Sequence, residues 1–386
     1  MPKILWFLFT ITVVFSFNSF FCKLVKAQEY YCDDQVYVAI PVSSESSKKT
    51  EGEIHFNKAV EAQVNNKVLL AIDEYSSAIQ LNEKLIESHL NRGILYQTIS
   101  KYKKALSDYN HVIELCPKFA TAYVGKGILY QDLGQYEQAL SNYNKAIEVD
   151  PNSPLAYSNR GKLFYVLEKY MQALKDYEQA IKLAPESADN YDVRGAIYHK
   201  LKKYTLALSS YDKAIQLEPL SALTYNNRAA VYTDLREYKK ALLDYDKAIS
   251  ISPENDKIYF NRAKAYYRMK LYKEAIGDYQ QVVKLNPRDV QAYGNMGWIS
   301  ILQKKYGESV NFSRKGLSLN PTSNWIEANL ILALVLNGND KEGMVLLDSF
   351  IKRFPEQKKN LIEDINFLQS KSVNTKNFER LKDYLE

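Results

Sequence analysis

Prolines recur in this chain with a fixed spacing of 34 residues. They are Pro117, Pro151, Pro185, Pro219, Pro253, Pro287, Pro321 and Pro355, and Glu83 holds the same place one period earlier. A constant period of this length is the signature of a protein built from stacked, similar repeats, each of which packs on its neighbours. The spacing therefore predicts a solenoid rather than one large globular core.

Each repeat begins 31 residues before its proline, which gives the nine segments 52–85, 86–119, 120–153, 154–187, 188–221, 222–255, 256–289, 290–323 and 324–357. Position 8 is Gly or Ala from Ala59 to Gly297, position 20 is alanine from Ala71 to Ala275, and position 24 is tyrosine from Tyr75 to Tyr279. Positions 4, 8 and 11 share one helical face, and so do positions 20, 24 and 27. Each repeat is therefore predicted to form two amphipathic helices, the second of which ends at the proline.

This pattern of aromatic, glycine, alanine and proline positions resembles the tetratricopeptide repeat over residues 52–357. The resemblance implies an all-α fold, a right-handed α-solenoid superhelix of about nine helix-turn-helix repeats. Two further amphipathic stretches, 358–370 and 375–385, are predicted to form capping helices within residues 358–386. Residues 28–51 are interpreted as a linker or N-terminal extension, because they end in the polar stretch SSESSKKTEGE.

Residues 1–27 resemble a secretory signal peptide. Lys3 precedes an uncharged run, and Val25 and Ala27 stand at the −3 and −1 places of a cleavage site. The alternative is an uncleaved membrane anchor formed by residues 4–22, since the apolar stretch is nearly long enough to span a bilayer. Lys23 and Lys26, on the far side of the stretch, leave its orientation open. We expect an exported protein (periplasmic, secreted or lumenal), with membrane anchorage as the alternative.

The net charge limits the classes of partner that are expected, and the cysteines leave two possibilities for a disulfide. Residues 1–27 contain three lysines and no acids, so their removal lowers the formal net charge from +6 to +3. An excess this small predicts no nucleic-acid partner, and a membrane partner only through an uncleaved N-terminal segment. Cys32 and Cys116 remain after cleavage. They either form a disulfide, as export would allow, or stay unpaired.

No catalytic, metal-binding or cofactor-binding motif is present in the sequence. His55 and His89 occupy position 4, a packing position that is tyrosine in most repeats, so a structural role is expected. No His/Cys spacing suggests zinc, and no glycine-rich loop follows a strand. The sequence therefore predicts no cofactor and no enzymatic activity. A site assembled in space from distant residues is the remaining alternative.

Position 6 is asparagine in seven of the nine repeats, and the seven are Asn57, Asn91, Asn159, Asn227, Asn261, Asn295 and Asn329. In the resembling family, the first helix of each repeat lines the concave face. The series is similar to the asparagine ladder in the tetratricopeptide superhelix of O-linked N-acetylglucosamine transferase, which holds the backbone of its protein substrates. The resemblance is confined to the repeats, so transferase activity is not implied. Gly125 and Val193 interrupt the series.

An amide side chain both donates and accepts hydrogen bonds, as an extended peptide backbone requires. The predicted peptide-binding residues are Asn91, Asn159, Asn227, Asn261, Asn295 and Asn329, helped by Phe260, Lys264, Tyr267 and Trp298. The alternative is that these asparagines tie neighbouring helices together. Chaperone-tail adaptors of the family carry lysine at position 5, which no repeat of this chain has, so that function is not expected.

Two further sets of charged residues have structural interpretations. Arginines at position 7 are expected to pair with aspartates at position 23 of the same repeat; these residues are Arg92, Arg160, Arg194, Arg228 and Arg262, with Asp108, Asp176, Asp244 and Asp278. The turns between the paired helices are rich in lysine: Lys101, Lys103, Lys104, Lys202, Lys203, Lys239, Lys240, Lys270, Lys304 and Lys305. These lysines form either a solvated edge or a surface for an anionic partner.

The sequence thus predicts a protein–protein interaction scaffold that binds an extended peptide or partner protein in the concave groove. One alternative is a structural tether or assembly factor that binds through its convex face or basic edge. The other is an enzyme with an unrecognised site.

Overall fold

The structure is a computed structural model in which residues 29–32, 35–38, 50–370 and 376–385 are described. The predicted signal peptide or anchor, residues 1–27, lies outside the described residues. Within the described part of the chain, no helix is both long and apolar enough to cross a membrane. Two short strands, β1 (Glu29–Cys32) and β2 (Gln35–Val38), form an antiparallel hairpin in which Cys32 pairs with Gln35.

The hairpin lies within residues 28–51, the segment interpreted from the sequence as a linker or N-terminal extension. Its sequence, EYYC followed by QVYV, is rich in aromatic and β-branched residues, which favour extended pairing. Cys116 at the end of the second repeat is fully buried and disulfide-bonded, and its partner lies outside the described side chains. Of the two alternatives for this cysteine, the structure has the bonded one.

The repeats form helix pairs in chain order. They begin with α1 (Glu51–Val64) and α2 (Val68–Gln80), α3 (Leu85–Thr98) and α4 (Tyr102–Leu115), α5 (Ala120–Asp132) and α6 (Tyr136–Val149), α7 (Pro154–Val166) and α8 (Tyr170–Leu183), α9 (Ala188–Lys200) and α10 (Tyr204–Leu217). They continue with α11 (Ala222–Asp234) and α12 (Tyr238–Ile251), α13 (Asp256–Arg268) and α14 (Tyr272–Leu285), α15 (Val290–Leu302) and α16 (Tyr306–Leu319), α17 (Asn324–Leu336) and α18 (Asp340–Arg353). A short 3₁₀ turn (Pro355–Gln357), α19 (Lys358–Ser370) and α20 (Lys376–Leu385) follow. The all-α, paired-helix repeat fold predicted from the period is confirmed.

The chain divides into two compact units, Met1–Ile197 and Tyr198–Glu386, here called the N-terminal and C-terminal units. The boundary falls inside α9, in the fifth repeat, and nothing in the sequence period marks it. In each unit the paired helices of one repeat pack on each other, and consecutive first helices also touch. Examples are α5 with α7 in the N-terminal unit and α11 with α13 in the C-terminal unit.

The tyrosine at position 24 fills the space between the paired helices. From Tyr75 to Tyr279 this side chain is no more than 3% exposed, and the position-20 alanines are fully buried. The small residue at position 8 makes room for the ring. At Gly127, for example, a Cβ atom would lie 2.5 Å from Cε1 of Tyr143, which is closer than carbon atoms approach without a clash. Each ring buries apolar area that contributes about 2 kcal/mol to stability.

Every first helix is followed, two residues after its last residue, by a residue with a left-handed backbone. Position 15 has positive φ throughout: Asn66, Ser100, Gly134, Glu168, Lys202, Arg236, Lys270, Lys304 and Gly338. In the third repeat, the N–H of Gln135 reaches the carbonyl of Tyr130 over 2.8 Å, the six-to-one bond of a Schellman cap. The turn lysines identified in the sequence thus surround a helix cap that fixes the angle between the paired helices.

Four of the five position-7 arginines form the predicted pairs with aspartates, and each of these four also reaches the preceding repeat; in the repeat of Arg194, position 23 is Ser210. Arg160 binds both carboxylate oxygens of Asp176 at 2.8 and 2.7 Å, and its Nη1 donates to Asn144 Oδ1 at 2.8 Å. The guanidinium lies between the rings of Tyr157 and Phe164. Arg92, Arg228 and Arg262 repeat this arrangement with Asp108, Asp244 and Asp278. The arginines therefore join consecutive repeats as well as paired helices.

The eighth repeat departs from this packing. Ser300, Ser309 and Ser313 are fully buried, and their hydroxyl oxygens have no hydrogen-bond partner in the described part of the chain. After the ninth repeat, Phe378, Leu381 and Leu385 of α20 are also fully buried and belong to the same apolar cluster as Leu330 and Leu334 of α17. The two terminal helices therefore cover apolar surface that the last repeat would otherwise expose.

Candidate functional site

Contacts between consecutive first helices define a surface in each of the two units, here called the first-helix face of that unit. Its residues occupy positions 2, 5, 6, 9, 12 and 13 of the repeats. In the N-terminal unit, Gln97 Nε2 donates to Asp132 Oδ2 at 2.5 Å, from position 12 to position 13 of the next repeat. In the C-terminal unit, Trp298 Nε1 donates to the Tyr267 hydroxyl at 3.1 Å, from position 9 to position 12 of the preceding repeat. Side chains of neighbouring repeats therefore meet on this face at regular intervals.

The position-6 asparagines lie at the seam between consecutive first helices. Asn329 Nδ2 donates to the backbone oxygen of Gly294, at position 5 of the preceding repeat, over 3.2 Å. Asn261 Nδ2 donates to Asn226 Oδ1, also at position 5, over 3.0 Å. Asn159 donates instead to a backbone oxygen one turn earlier in its own helix, over 2.8 Å. Asn261 and Asn329 therefore link neighbouring helices, whereas the bond of Asn159 stays within its own helix.

Burial divides the asparagines into two groups. The side chains of one group are no more than 6% exposed, which leaves a ligand little access; they are Asn91, Asn159 and Asn329. The other group is half-buried and consists of Asn57, Asn227, Asn261 and Asn295. Since an amide carries two N–H donors and an oxygen acceptor, one bond within the protein leaves capacity for a second partner. The accessible part of the series therefore lies mainly in the C-terminal unit.

The interruption of the series at Gly125 has a steric cause. A Cβ atom at Gly125 would lie 2.9 Å from Cε1 of Tyr109, the position-24 tyrosine of the preceding repeat. An asparagine in that place would have to displace a buried ring. No signal in the third repeat itself reveals this, because the ring comes from its neighbour.

Two of the predicted aromatic residues, Tyr267 and Trp298, form an aromatic cluster with their neighbours on the first-helix face of the C-terminal unit, whereas Phe260 contacts a different ring. The Trp298 ring stacks on Phe367 of the capping helix α19, with ring centroids 6.1 Å apart and planes inclined by 23°. Tyr267, which accepts the Trp298 N–H, also meets Tyr272 at 6.0 Å. Phe260 is half-buried and meets the Tyr279 ring edge-on at 5.3 Å. Sequence reasoning missed Phe367, since nothing in the period links a capping helix to position 9.

Next to the aromatic cluster lies a group of charged side chains that the sequence analysis identified only in part. His199 Nε2 lies 2.8 Å from Asp234 Oδ2, and Arg268 Nη1 donates to Asp234 Oδ1 at 2.6 Å. Burial raises the pKa of Asp234, but the hydrogen bonds from Arg268 and His199 more than offset this and hold it below its usual value. Lys264 and Lys200 are exposed beside this pair.

Burial and neighbouring cations together lower the pKa of Lys264. Its pKa is lowered, first by loss of hydration among the surrounding side chains and then by the charges of Arg268 and Lys200, while Asp234 acts in the opposite direction. Within the described part of the chain, neither Lys264 nor Lys200 forms an ion pair. The first-helix face of the C-terminal unit therefore has more positive than negative charge at this point.

The first-helix face of the N-terminal unit has the opposite character. Asp132 and Asp189 share one nearby cation, Lys162, and loss of hydration raises the pKa of both carboxyl groups despite that cation. The same loss of hydration lowers the pKa of Lys162. Glu87 and Asp192 lie on the same face and are each 7% exposed. Acids thus outnumber bases on this face.

The histidines have the structural environment expected of position 4. His89 is buried, and its Nδ1 lies 2.8 Å from Asp108 Oδ1, on a carboxylate that Arg92 already binds. His55 Nδ1 lies 2.5 Å from Glu74 Oε2. Among the residues that the structure describes, no group of three or more His, Cys, Asp or Glu side chains could hold a metal ion.

Several models of known protein families match the chain, and all of them describe the same kind of repeat. Sequence models described as "TPR repeat" match residues 129–168, 195–235 and 230–270. Models described as "tetratricopeptide repeat" match residues 86–119, 108–141, 154–187, 256–289 and 290–323. Together the matches run from 86 to 187 and from 195 to 323. No curated protein sequence matches the chain.

Solved structures resemble the fold at low sequence identity. The anaphase-promoting-complex hetero-tetramer Cut9–Hcn1 matches with 17% identity and a TM-score of 0.56, over 74% of this chain and 56% of that one. This chain thus spans about half the length of that protein. A tetratricopeptide repeat protein from Parabacteroides merdae matches with 20% identity and a TM-score of 0.52, over 65% and 99% of the two chains. PilW, a type IV pilus biogenesis factor, matches with 15% identity and a TM-score of 0.52, over 55% and 98%.

Proposed function

Because this chain belongs to the tetratricopeptide repeat family, we propose that it is a non-catalytic scaffold that holds an extended segment of a partner protein on its first-helix face. Stacked helical repeats generally offer such long surfaces to proteins and peptides. The observation that carries the proposal is the set of half-buried amides Asn227, Asn261 and Asn295, which recur once per repeat on the C-terminal unit.

The spacing of these amides suits a polypeptide backbone better than a compact ligand. Each amide can exchange hydrogen bonds with a peptide group, and each net bond contributes about 1 kcal/mol. Because ordering the segment costs conformational entropy, a few such bonds alone hold it weakly. Side-chain contacts with Lys264, Tyr267 and Trp298 would supply the remaining affinity and the choice of partner.

The test is capture of partners from the native source by the full chain and by a variant with Asn227, Asn261 and Asn295 changed to alanine. The matched control replaces Asn110, Asn142 and Asn311, which lie on second helices, by alanine. We expect the first variant to lose a partner that the parent and the control both retain, as measured by quantitative mass spectrometry. Circular dichroism establishes that all three proteins are folded. Equal capture by all three would contradict binding through these amides.

We also propose that the protein is exported. The proposal is supported by the signal-like residues 1–27 and by the disulfide bond of Cys116, since disulfides persist in oxidising compartments. Mass spectrometry of the mature protein should give a chain that begins at Gln28 and a Cys116 that does not react with a thiol reagent before reduction. A freely reactive Cys116 in the native protein would contradict export.

A further inference from the structure

We propose that the first-helix face of the C-terminal unit selects an acidic extended segment, whose carboxylates bind at Lys200, Lys264 and Arg268. This inference rests on the proposed function and specifies the chemistry of the partner. The three cations come from α9, α13 and α13, at positions 13, 9 and 13 of their repeats, and all three are exposed. Arg268 binds the carboxylate of Asp234, and the charges of Asp234, Arg268 and Lys200 all act on Lys264.

The charges within the protein do not balance at this point. Asp234 is already shared between His199 and Arg268, at 2.8 and 2.6 Å. Lys264 and Lys200 have no ion-pair partner among the described residues, and Lys264 is close enough to Arg268 and Lys200 for its charge to be repelled by both. A carboxylate from outside would relieve that repulsion, so the free energy of binding contains a term that a neutral segment cannot supply.

The surroundings of the cations favour a polypeptide over other polyanions. The half-buried amides of Asn227 and Asn261 lie on the same face, and the stacked pair Trp298 and Phe367 lies beyond Lys264. Amide and aromatic contacts suit peptide groups and apolar side chains. The fixed negative charge of Asp234 in the middle of the group disfavours a densely charged phosphate chain. By contrast, the acid-rich first-helix face of the N-terminal unit offers no comparable cation group.

The test uses two fluorescent peptides that differ only in carrying glutamate or glutamine at every second residue. Their binding to the full-length protein is measured by fluorescence anisotropy. The glutamate peptide should bind at least about tenfold more tightly at low salt, and the preference should shrink as ionic strength rises. The variant Lys264→Glu with Arg268→Glu should lose the preference.

The matched control, Lys247→Glu with Lys284→Glu, makes the same change in net charge on the second helices of the sixth and seventh repeats. It should keep the preference. If the charge-reversed variant does not fold, the salt dependence of the two peptides with the parent protein decides the matter. Equal binding of the two peptides, loss of the preference in the control, or displacement of the glutamate peptide by an oligonucleotide at lower concentration would each overturn the inference.

The outcomes also separate this inference from the proposed function. If both peptides bind equally and the triple asparagine variant weakens both, the face binds extended segments without choosing acidic ones. If neither peptide binds, selection of acidic segments is wrong, while partner capture by the full chain still decides the proposed function independently.

Discussion

At the scale of the residue, the position-7 arginines show how burial decides the worth of an ion pair. Arg228 Nη2 lies 2.7 Å from Asp244 in its own repeat, and Arg228 Nη1 lies 2.7 Å from Asp212 in the preceding repeat. The two carboxylates differ in exposure: the Asp244 side chain is 9% exposed and the Asp212 side chain 58%. Burial tends to lower the pKa of Arg228, but the hydrogen bonds to both aspartates raise it by more than burial lowers it. The guanidinium therefore stays charged.

Replacing these aspartates one at a time should therefore give unequal losses. Asp244→Ala leaves a partly buried guanidinium without its main partner, and we expect it to lower the free energy of unfolding by about 2–4 kcal/mol. Asp212→Ala removes an exposed partner at the same distance and should cost less than about 1 kcal/mol. Denaturation by urea measures both. Equal losses would mean that contact distance, and not burial, sets the strength of these pairs.

At the scale of the element, helix pairing depends on how closely a glycine lets the tyrosine ring approach. At Gly127 in α5 a Cβ atom would lie 2.5 Å from the Tyr143 ring, whereas nothing lies within 4 Å of a Cβ atom at Gly277 in α14. The two glycines lie within helices of similar length but in opposite packing environments. Their replacement should therefore shift stability in opposite directions.

Gly127→Ala should destabilise the protein by about 1–3 kcal/mol, because the added methyl group overpacks the core. Gly277→Ala should stabilise it by up to about 1 kcal/mol, because alanine favours the helix and meets no neighbour. Thermal unfolding followed by circular dichroism gives both values. A loss of stability in Gly277→Ala would show that α14 packs against something at that position.

The features that could be predicted from the sequence differ from those that could not in whether they depend on one repeat or on two. The period gave the helix pairs, and positions 7 and 23 gave the arginine–aspartate pairs, because each of these depends on residues within one repeat. The burial of Asn91 and Asn329, the glycine at 125 and the cation group of Lys200, Lys264 and Arg268 depend on side chains from adjacent repeats. The spacing of these residues along the chain does not show which side chains of adjacent repeats touch, so these features could not be predicted from the sequence.

At the scale of the whole molecule, stability is expected to be regional, because each repeat packs mainly on its neighbours. Tyr109 shows that the contacts of one side chain can join two repeats, because its ring lies against Gly93 in its own repeat and Gly125 in the next.

Tyr109→Ala should therefore raise amide hydrogen exchange in the second and third repeats and leave the seventh unchanged. We expect a local loss of about 3–5 kcal/mol from the vacated space. Tyr279→Ala should give the reverse pattern, with faster exchange in the seventh repeat. Mass spectrometry after timed deuterium labelling measures both. A uniform rise in exchange along the chain would mean that the repeats unfold as one cooperative body.

The two-sided contacts of the position-7 arginines have a consequence for how such a gene can change. Each paired arginine binds one carboxylate in its own repeat and one group at position 25 of the repeat before it, as Arg160 does with Asp176 and Asn144. Duplication or deletion of one whole 34-residue segment would rejoin equivalent partners at the new junction. The length of the first-helix face is thus heritable in whole-repeat steps, so recombination can lengthen or shorten this face without a new core.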